Sequence, residues 1–331
     1  MQENRMRVFV AGASGAIGTR LVAQLIERGH AVIGTARSPG SLERIRAQGA
    51  TPIALDLLDA RAVGEAVAEA EPDAIVHQAT ALAGVSFSRN LDRTFAQTNR
   101  LRTEGTDALL AAAGEASVVR LVAQSFANAR YERTGGPVKT EDDPLDPNPV
   151  PSTRATNAAM RHLDDAVTQY GGIALRYGNF YGASSDGMAG PVRKRQFPIV
   201  ADGGGVSSFI HLDDAAAATV LALEHGSAGI YNIVDDDPAP VREWLPVLAD
   251  LLGAKPPRRV PLWLARLFAG DAAVMMGTDA RGASNAKAER ELGWEPRYPS
   301  WRQGFAATYA STSATAGRDA QPAATPSHSR S

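Results

Sequence analysis

Hydrophobic positions along the chain fall into short apolar runs separated by longer segments with a helical period. The runs of strand length are "RVFVAG", "AVIGTA", "TPIALDL", "AIVHQA", "VVRLVAQS" and "GIALRYGN". Apolar strands that alternate with helices are typical of a parallel sheet covered on both faces. Residues 1–180 therefore predict an α/β domain with a doubly wound parallel sheet.

The pattern loosens after about residue 180. Glycine clusters at "GASSDGMAG" and "ADGGGVSS", and proline groups at "DDDPAP" and "KPPRRVP", interrupt it. We expect residues 181–310 to form mainly a smaller C-terminal substrate lobe, with the chain returning to the first domain around residues 207–235. Residues 311–331 are rich in Ser, Ala, Pro and Thr, which predicts a disordered tail.

A glycine loop follows the first predicted strand and opens the first predicted helix. It reads Gly12-Ala13-Ser14-Gly15-Ala16-Ile17-Gly18. In such a loop the first glycine permits a tight turn, the second lets backbone amides approach a pyrophosphate, and the third lets the helix lie close to the strand. The helix N-terminus then faces the phosphates. This context predicts a dinucleotide-binding Rossmann domain.

The end of the second predicted strand bears on the choice of cofactor. A carboxylate there would accept hydrogen bonds from the ribose 2′-hydroxyl of NAD(H), but the sequence has Thr35, Ala36, Arg37 and Ser38. Arg37 could pair with a 2′-phosphate. We expect NADP(H) to be preferred, with NAD(H) as the other possibility, although Arg37 could also be a solvated strand-end residue.

Further motifs from residue 6 to residue 306 resemble the extended short-chain dehydrogenase/reductase superfamily, in its NAD(P)-dependent epimerase/dehydratase group. The glycine spacing, "VHQATA", "QTNRLRTEGT", "LRYGNFYG", "FIHLDD" and "SNAKAERELGWEPRYPSWRQGF" carry the resemblance. It implies further cofactor contacts at Asp56, Leu57, Gln78, Ala79, Thr80, Asn99, Tyr177 and Asn179.

Catalysis in that family rests on a Ser or Thr after the fifth strand and a Tyr-x-x-x-Lys pair on the next helix. Ser125 lies where the serine is expected, although it could simply end a buried strand. No tyrosine occurs between Glu132 and Gln169, and the only lysine there, Lys139, precedes the helix. Depending on alignment, the tyrosine is replaced by Thr153, Thr156 or Asn157, and the lysine by Met160 or Arg161.

An active enzyme would need another source for a proton. Tyr131 is the nearest candidate, so Ser125 and Tyr131 are the predicted catalytic residues. Tyr177, Tyr181 and a water held by Ser125 and Asn128 are alternatives. Packing or substrate contact is the competing interpretation of each tyrosine. We interpret His211, in "FIHLDD", as part of the interface with the lobe.

The substrate is less well defined by the sequence. Arg193, Lys194 and Arg195 could hold the diphosphate of a sugar nucleotide, or form a solvated helix face. The segment "RRVPLWLARLFAG" could line a pocket for another substrate, or form a core helix.

Composition excludes several classes of function. The 331 residues are 44% hydrophobic with a net charge of -2 and no polybasic run, which argues against nucleic acid and membrane partners. Cysteine is absent, and with it thiolate metal sites; we expect no metal. No signal peptide or membrane span is recognisable, so we expect a cytoplasmic protein with a small-molecule substrate. The resemblance also implies a possible homodimer.

Two functions are consistent with these features. The first is an atypical NADP(H)-dependent oxidoreductase or epimerase-like enzyme that acts on a carbonyl or alcohol by hydride transfer. The alternative is a non-catalytic NADP(H)-binding regulator or partner subunit, which the missing Tyr/Lys pair would explain.

Overall fold

The computed structural model describes residues 5–82, 84, 89–183 and 187–316. The strands, in chain order, are β1 (Arg7–Ala11), β2 (Ala31–Ala36), β3 (Thr51–Ala54), β4 (Ala74–His77), β5 (Arg120–Phe126), β6 (Val138–Lys139), β7 (Ile173–Tyr177), β8 (Asn179–Tyr181), β9 (Ile199–Val200), β10 (Val206–Ser207), β11 (Phe209–His211), β12 (Gly229–Ile233), β13 (Ala239–Pro240), β14 (Arg259–Val260) and β15 (Gly282–Ala283).

The helices, in chain order, are α1 (Ala16–Glu27), α2 (Pro39–Ala47), α3 (Ala60–Ala70), α4 (Leu91–Thr94), α5 (Ala96–Arg100), α6 (Thr106–Glu115), α7 (Arg154–Gln169), α8 (Ala189–Arg193), α9 (Leu212–His225), α10 (Val241–Leu251), α11 (Leu262–Phe268), α12 (Asp271–Thr278), α13 (Ala286–Leu292) and α14 (Trp301–Ala316). A π-helical turn, Leu101–Gly105, joins α5 to α6, and a 3-10 turn, Pro151–Thr153, precedes α7.

Seven parallel strands form the central sheet in the order β12-β7-β5-β4-β1-β2-β3. The chain reverses its direction of winding between β1 and β4, which pair from Val8 opposite Ala74 to Ala11 opposite His77. Ligands of such sheets bind in the crevice where the carboxyl ends of these two strands meet. The predicted doubly wound Rossmann fold is therefore confirmed, and β12 is an edge strand that the apolar runs did not indicate.

Successive side chains of β1 point to opposite faces of the sheet, and each face is covered by helices. Val8 and Val10 belong to a core cluster with residues of α1 and α9, while Phe9 and Ala11 belong to a second cluster with residues of α3, α6 and α7. All four side chains are fully buried. Burial on both faces is the reason that this strand is apolar throughout its length.

The C-terminal part of the chain builds a lobe with its own aromatic core. Phe209 packs edge-on against Trp244 and Phe305, and Tyr181 does the same against Phe305. The chain returns to the central sheet through α9 and β12 before it forms α10. The division of the chain at residue 180 remains a prediction.

The last described helix overlaps the start of the predicted tail of residues 311–331, whose disorder remains a prediction. Helix α14 runs to Ala316, and residues 317–331 lie outside the described part of the chain. Among the described residues, no helix has the length and apolar character needed to span a membrane.

The segment "RRVPLWLARLFAG" does not form a core helix. Only Ala265 of α11 is buried, whereas Trp263 is 67% exposed and Leu267 is 61% exposed. The helix has seven residues and packs mainly against α12, so most of its apolar surface has no element to cover it in the described chain.

Candidate active site

The glycine loop lies directly over the crevice between β1 and β4. Gly12 adopts a positive φ of 87°, and a Cβ at this position would lie 2.7 Å from the Cα of Ala79. A Cβ on Gly18 would lie 2.2 Å from the Gly12 carbonyl oxygen. The loop therefore requires glycine at both positions, as a phosphate-binding turn packed against its own helix does.

Helix α1 presents free amides toward this loop. Its N-cap is Gly15, which has no side chain to cap the helix, and its first turn contains no acidic residue. Ser14 is half-buried, whereas Gly15 and Ala16 are exposed and Ile17 packs into the core. The uncapped N–H groups and the helix dipole make this end suitable for a pyrophosphate.

Two buried side chains, one of them beside the loop, have acceptor oxygens without partners. The Oε1 of Gln78 and the Oδ1 of Asn99 are both buried and have no hydrogen bond. Thr98 accepts a hydrogen bond from the backbone N–H of Ala81 over 3.1 Å, which links α5 to the segment that contains Ala79 and Thr80. Buried polar atoms normally have partners, so these orphaned oxygens fit a bound dinucleotide.

The ring of His77 helps to fix the end of β4. Its Nε2 lies 3.2 Å from the carbonyl oxygen of Leu101, and its Nδ1 accepts from the N–H of Ala79. Burial lowers the pKa of His77 to about 4, so the ring is neutral near pH 7.

Arg37 lies where β2 ends, on the same sheet edge as the glycine loop. Its side chain is exposed, and no carboxylate occurs from Thr35 to Leu42. Ser38 caps α2 by accepting from the N–H of Ser41, and the Ser41 hydroxyl also accepts from Arg44. Exposed hydroxyl and guanidinium groups thus surround the position where a ribose 2′-substituent is expected.

The other predicted cofactor positions differ in what they can contact. Asp56 is exposed after β3, and Leu57 is buried. Tyr177 is fully buried, and its hydroxyl bonds to Thr219 over 2.6 Å. Asn179 is half-buried, and its backbone N–H donates to the carbonyl of Ser208. These assignments remain predictions.

Thr156 and Met160 are one of the pairs that the sequence offers in place of the family's tyrosine and lysine. They lie one helical turn apart on α7, and both are buried, whereas Arg161 is exposed. The Thr156 hydroxyl donates to an Asp92 carboxylate oxygen over 2.8 Å and accepts from the Asn99 side-chain amide over 3.1 Å. Its single proton is therefore directed at Asp92.

Ser125 is 1% exposed and faces α7. Its hydroxyl oxygen accepts from Nη1 of Arg130 over 3.1 Å, and its interaction with Asp164 is among the causes that lower the pKa of that carboxyl. The serine thus borders a group that we call the arginine cluster, defined as Arg102, Arg130, Arg176 and Asp164.

The arginine cluster carries an excess of positive charge inside the protein. Asp164 lies 2.9 Å from Arg130 and 2.8 Å from Arg176, and all three side chains are at least 96% buried. Burial alone would raise the pKa of Asp164, but the two guanidinium groups lower it. Burial lowers the pKa of Arg102 to about 10, so this residue also stays charged near pH 7.

Tyr131 lies deep beside this cluster. Its hydroxyl donates to the Oδ1 of Asn232 over 2.8 Å and accepts from Arg176 over 3.3 Å. Burial raises the pKa of Tyr131 above its ordinary value. The catalytic roles of Ser125 and Tyr131 remain predictions, since both hydroxyls have partners within the protein.

The remaining candidates from the sequence have structural contacts. Tyr181 packs in the core of the lobe, against Phe305 and His211. The His211 Nδ1 accepts from the N–H of Asp213 at the start of α9, as expected for a residue that joins the lobe to the sheet. Asn128 exchanges two hydrogen bonds with the backbone of Ser208.

The basic residues at the end of α8 differ in their exposure to solvent. Arg193 and Lys194 are exposed, and the Nε of Arg195 is buried without a hydrogen bond.

Sequence reasoning missed Asp92 and the partners of Ser125 and Tyr131. Asp92 accepts hydrogen bonds from residues more than 60 positions away, and Asn232 is 101 residues from Tyr131. No local pattern marks such pairs. The one available signal was an aspartate seven residues before Asn99 in the sequence.

A glycine loop at the β1/β4 crevice, with uncapped helix amides and orphaned acceptors, defines a dinucleotide-binding Rossmann protein. The chain belongs to the NAD dependent epimerase/dehydratase family, whose model matches residues 8–234.

Individual relatives agree with this assignment. The chain is 44% identical over 309 residues to a 3-diazoavenalumate denitrifying reductase from a Streptomyces species, covering 91% of this chain and 99% of that protein. It is 29% identical to a 4-hydroxy-2-methyl-3-oxo-4-farnesyl-3,4-dihydroquinoline-1-oxide ketoreductase from Stigmatella aurantiaca, over 76% of this chain and 74% of the relative.

Among solved structures, the dTDP-glucose 4,6-dehydratase of Streptomyces venezuelae with NAD and TYD bound has a TM-score of 0.73 and 25% identity, over 95% of this chain and 98% of that chain. The family and the reductase-named relatives confirm the prediction of an NAD(P)-dependent oxidoreductase or epimerase-like enzyme.

Proposed function

We propose that this protein is an NADPH-dependent reductase that replaces a diazo group on an aromatic carboxylate with hydrogen. One observation carries this proposal: the hydroxyl groups of Thr156, Tyr131 and Tyr177 donate their hydrogen bonds to other groups of the protein. The proposed reduction needs a hydride and no proton, which makes a tyrosine acid unnecessary.

Three hydroxyl groups support this point. The Thr156 proton is directed at Asp92, and the Tyr131 proton at Asn232. Because Thr219 donates its own proton to the carbonyl of Ala215, the Tyr177 hydroxyl must donate to Thr219. Burial also raises the pKa of Tyr177 to about 12, which makes it a poor acid near pH 7.

A diazo group in its cationic diazonium form is an electrophile that suits such a site. A reduced nicotinamide, when bound at the glycine loop, would supply the hydride. The hydride pair forms the new C–H bond at the ring carbon, and the pair of the broken C–N bond leaves with N2. Charge and atoms balance without a proton, in contrast to the reduction of a ketone, whose alkoxide product must be protonated.

The name of the Streptomyces relative points to the same chemistry, since it describes a reductase that removes nitrogen from a diazo compound. That relative is matched along 99% of its length, so the site and the lobe are both included in the comparison. Gly12 and Gly18 would hold the pyrophosphate, and Gln78 and Asn99 would offer their orphaned oxygens to the cofactor.

The proposed preference for NADPH rests on Arg37. This residue is exposed at the end of β2, beside Ser38 and Ser41, and has no ion-pair partner among the described residues. A guanidinium with no carboxylate nearby favours a 2′-phosphate over a 2′-hydroxyl.

Carbonyl reduction is the second candidate, because one relative is named a ketoreductase. It would require a proton from water or from Tyr131, after a change in the hydrogen bonds described above. The homodimer that the resemblance implies is a further expectation that we retain as a proposal.

The test is a turnover measurement on the full chain with NADPH. The diazonium salt of 3-aminocinnamate and a panel of aryl ketones are supplied separately, and NADPH oxidation and N2 release are followed together. The proposal predicts equal amounts of NADP⁺ and N2 with the diazonium compound. Gly12→Val is the control, since its side chain would collide with Ala79 and block the cofactor.

Oxidation of NADPH by ketones alone would replace the proposed function with carbonyl reduction. NADPH binding without oxidation by any compound would favour the regulator instead.

A further inference from the structure

The side-chain amide of Gln78 has its two ends in different surroundings. A Cβ on Gly12 would lie 2.8 Å from the Gln78 carbonyl carbon, so this residue lies directly beside the glycine loop. Its side-chain Nε2 donates to the Tyr177 hydroxyl over 3.3 Å, whereas the buried Oε1 has no partner among the described residues. One end of the amide is therefore held by the protein, and the other end lacks a donor.

Two residues behind Gln78 determine which end of the amide is held. Thr219 donates its hydroxyl proton to the carbonyl oxygen of Ala215 over 2.8 Å, within α9. The Thr219 oxygen lies 2.6 Å from the Tyr177 oxygen, so Tyr177 must donate across this contact. Tyr177 then has no proton left for Gln78 and can only accept from it. A reversed amide would place two oxygens against each other with no proton between them.

Burial determines which of these residues can meet a ligand. Tyr177 and Thr219 have no exposed surface, whereas Gln78 is 5% exposed. Tyr177 also belongs to the core cluster that includes residues of α1 and α9. Because a phenol enclosed by the core does not reach a ligand in the crevice, Tyr177 acts on the crevice through Gln78.

The strand order indicates which part of a dinucleotide faces Gln78. Arg37 follows β2, the glycine loop follows β1, and Gln78 follows β4, which lies on the other side of β1 from β2. With the pyrophosphate at the loop and the adenosine ribose at the end of β2, the nicotinamide riboside extends over β4. Its ribose hydroxyls and carboxamide N–H groups are hydrogen-bond donors, whereas phosphate oxygens are acceptors.

We infer that Tyr177 and Thr219 are positioning residues, which hold Gln78 so that its Oε1 accepts a hydrogen bond from the nicotinamide riboside. The inference rests on the cofactor of the proposed function and does not depend on the substrate. It assigns the contact with the cofactor to Gln78 and not to Tyr177.

Ligands with and without the nicotinamide riboside test this contact. NADPH carries it, and adenosine 2′,5′-bisphosphate keeps only the adenosine half; NADH and ADP form a second pair that lacks the 2′-phosphate. Calorimetric titration of the full chain gives the dissociation constants. Tyr177→Phe is expected to weaken binding of the dinucleotides by roughly three- to tenfold, as for the loss of one hydrogen bond, and to leave the binding of the adenosine ligands unchanged.

A double-mutant cycle tests whether Tyr177 acts through Gln78. Gln78→Leu is expected to cause a similar loss, to which Tyr177→Phe adds little in the double variant. Tyr231→Phe is the matched control, because it removes another buried phenol hydroxyl, which donates to the carbonyl of Ser227. If Tyr177→Phe does not fold, Thr219→Val tests the same hydrogen bonds, since valine cannot accept the Tyr177 proton. Thr219→Ser keeps the hydroxyl and is expected to keep dinucleotide binding.

A further ligand identifies the donor. The 3-acetylpyridine analogue of NADP⁺ lacks the carboxamide N–H groups. Weaker binding of this analogue than of NADP⁺, lost in Gln78→Leu, assigns the contact to the carboxamide. Equal binding of the two, together with the expected loss in Tyr177→Phe, assigns it to a ribose hydroxyl.

Equal weakening of dinucleotide and adenosine ligands in Tyr177→Phe, no weakening of either, or additive losses in the double variant overturns the inference. Diazonium turnover is measured separately. Its absence in a chain that shows the expected binding losses overturns the proposed function alone, whereas a chain that binds neither dinucleotide overturns both.

Discussion

The hydroxyl group of Tyr131 donates its proton to the side chain of Asn232 over 2.8 Å, across 101 residues of sequence. This bond ties the segment after β5 to the edge strand β12. It also leaves the phenol without a free proton for a substrate. The same feature recurs at Thr156 and at Tyr177, and it is the basis for a reaction in which hydride moves alone.

Tyr131→Phe is expected to keep its turnover within about twofold, because the proposed reaction takes no proton from the phenol. The variant leaves Asn232 with an unpaired acceptor, which costs about 1 kcal/mol of unfolding free energy. Steady-state kinetics and thermal denaturation measure the two effects. Tyr231→Phe, whose hydroxyl bonds to the carbonyl of Ser227, is the matched control.

A hundredfold loss of kcat in Tyr131→Phe with unchanged stability would instead identify Tyr131 as the proton donor.

Arg37→Ala is expected to weaken NADPH binding by roughly tenfold or more, with little effect on NADH, because only the phosphate needs the guanidinium. Fluorescence titration of both cofactors measures the difference. Arg46→Ala removes the same charge from α2, where Arg46 pairs with Glu43, and serves as the control. Equal losses for both cofactors in Arg37→Ala would rule out a 2′-phosphate contact.

Asp164→Asn is expected to destabilise the fold by about 3–5 kcal/mol, because it leaves the buried Arg130 and Arg176 without their carboxylate. Denaturant titration measures the loss. Asp107→Asn removes an exposed partner of His162 and is expected to cost less than about 1 kcal/mol. Similar small losses in both variants would mean that the arginine cluster does not depend on Asp164.

Asp235 provides a test of pH dependence. It is 1% exposed, and burial raises its pKa to about 8, so the folded chain keeps the proton that the unfolded chain releases near pH 4. Stability from this group is complete below pH 4 and is lost as pH rises to about 8. Asp235→Asn should remove that slope.

Thermal denaturation between pH 5 and pH 8 is the measurement for Asp235→Asn. We expect a gain on the order of a few kcal/mol at pH 8, and a much smaller one at pH 5. Exposed Asp250→Asn is the control. A gain that is the same at both pH values would contradict the raised pKa.

Local patterns were sufficient to predict the central fold. The apolar residues of β1 and the glycines that follow it mark a strand and a turn through neighbouring residues alone, and the structure confirms both. Strand β12 was missed because Tyr231 and Asn232 interrupt its apolar residues. The Asn232 side chain accepts a hydrogen bond from Tyr131, 101 residues away in the sequence, which no local pattern reveals.

The candidate site likewise contains one part that local sequence predicts and one part that depends on long-range contacts. The glycine loop could be predicted because a phosphate turn is a local structure, whereas the Asp92–Thr156 contact joins residues 64 positions apart. From the sequence alone, Thr153, Thr156 and Asn157 were all possible replacements for the family's tyrosine. Burial and hydrogen bonding in the folded chain bring Thr156 and Met160 to the inner face of α7.

The origin of the hydrogen in the product tests the central claim most directly. The diazonium salt of 3-aminocinnamate is reduced with NADPH carrying deuterium at C4 of the nicotinamide, on each face in turn, and separately with ordinary NADPH in D2O. We predict one deuterium at the former diazo carbon from one face of the cofactor, and none from D2O. Deuterium taken from D2O at that carbon would contradict reduction by hydride alone.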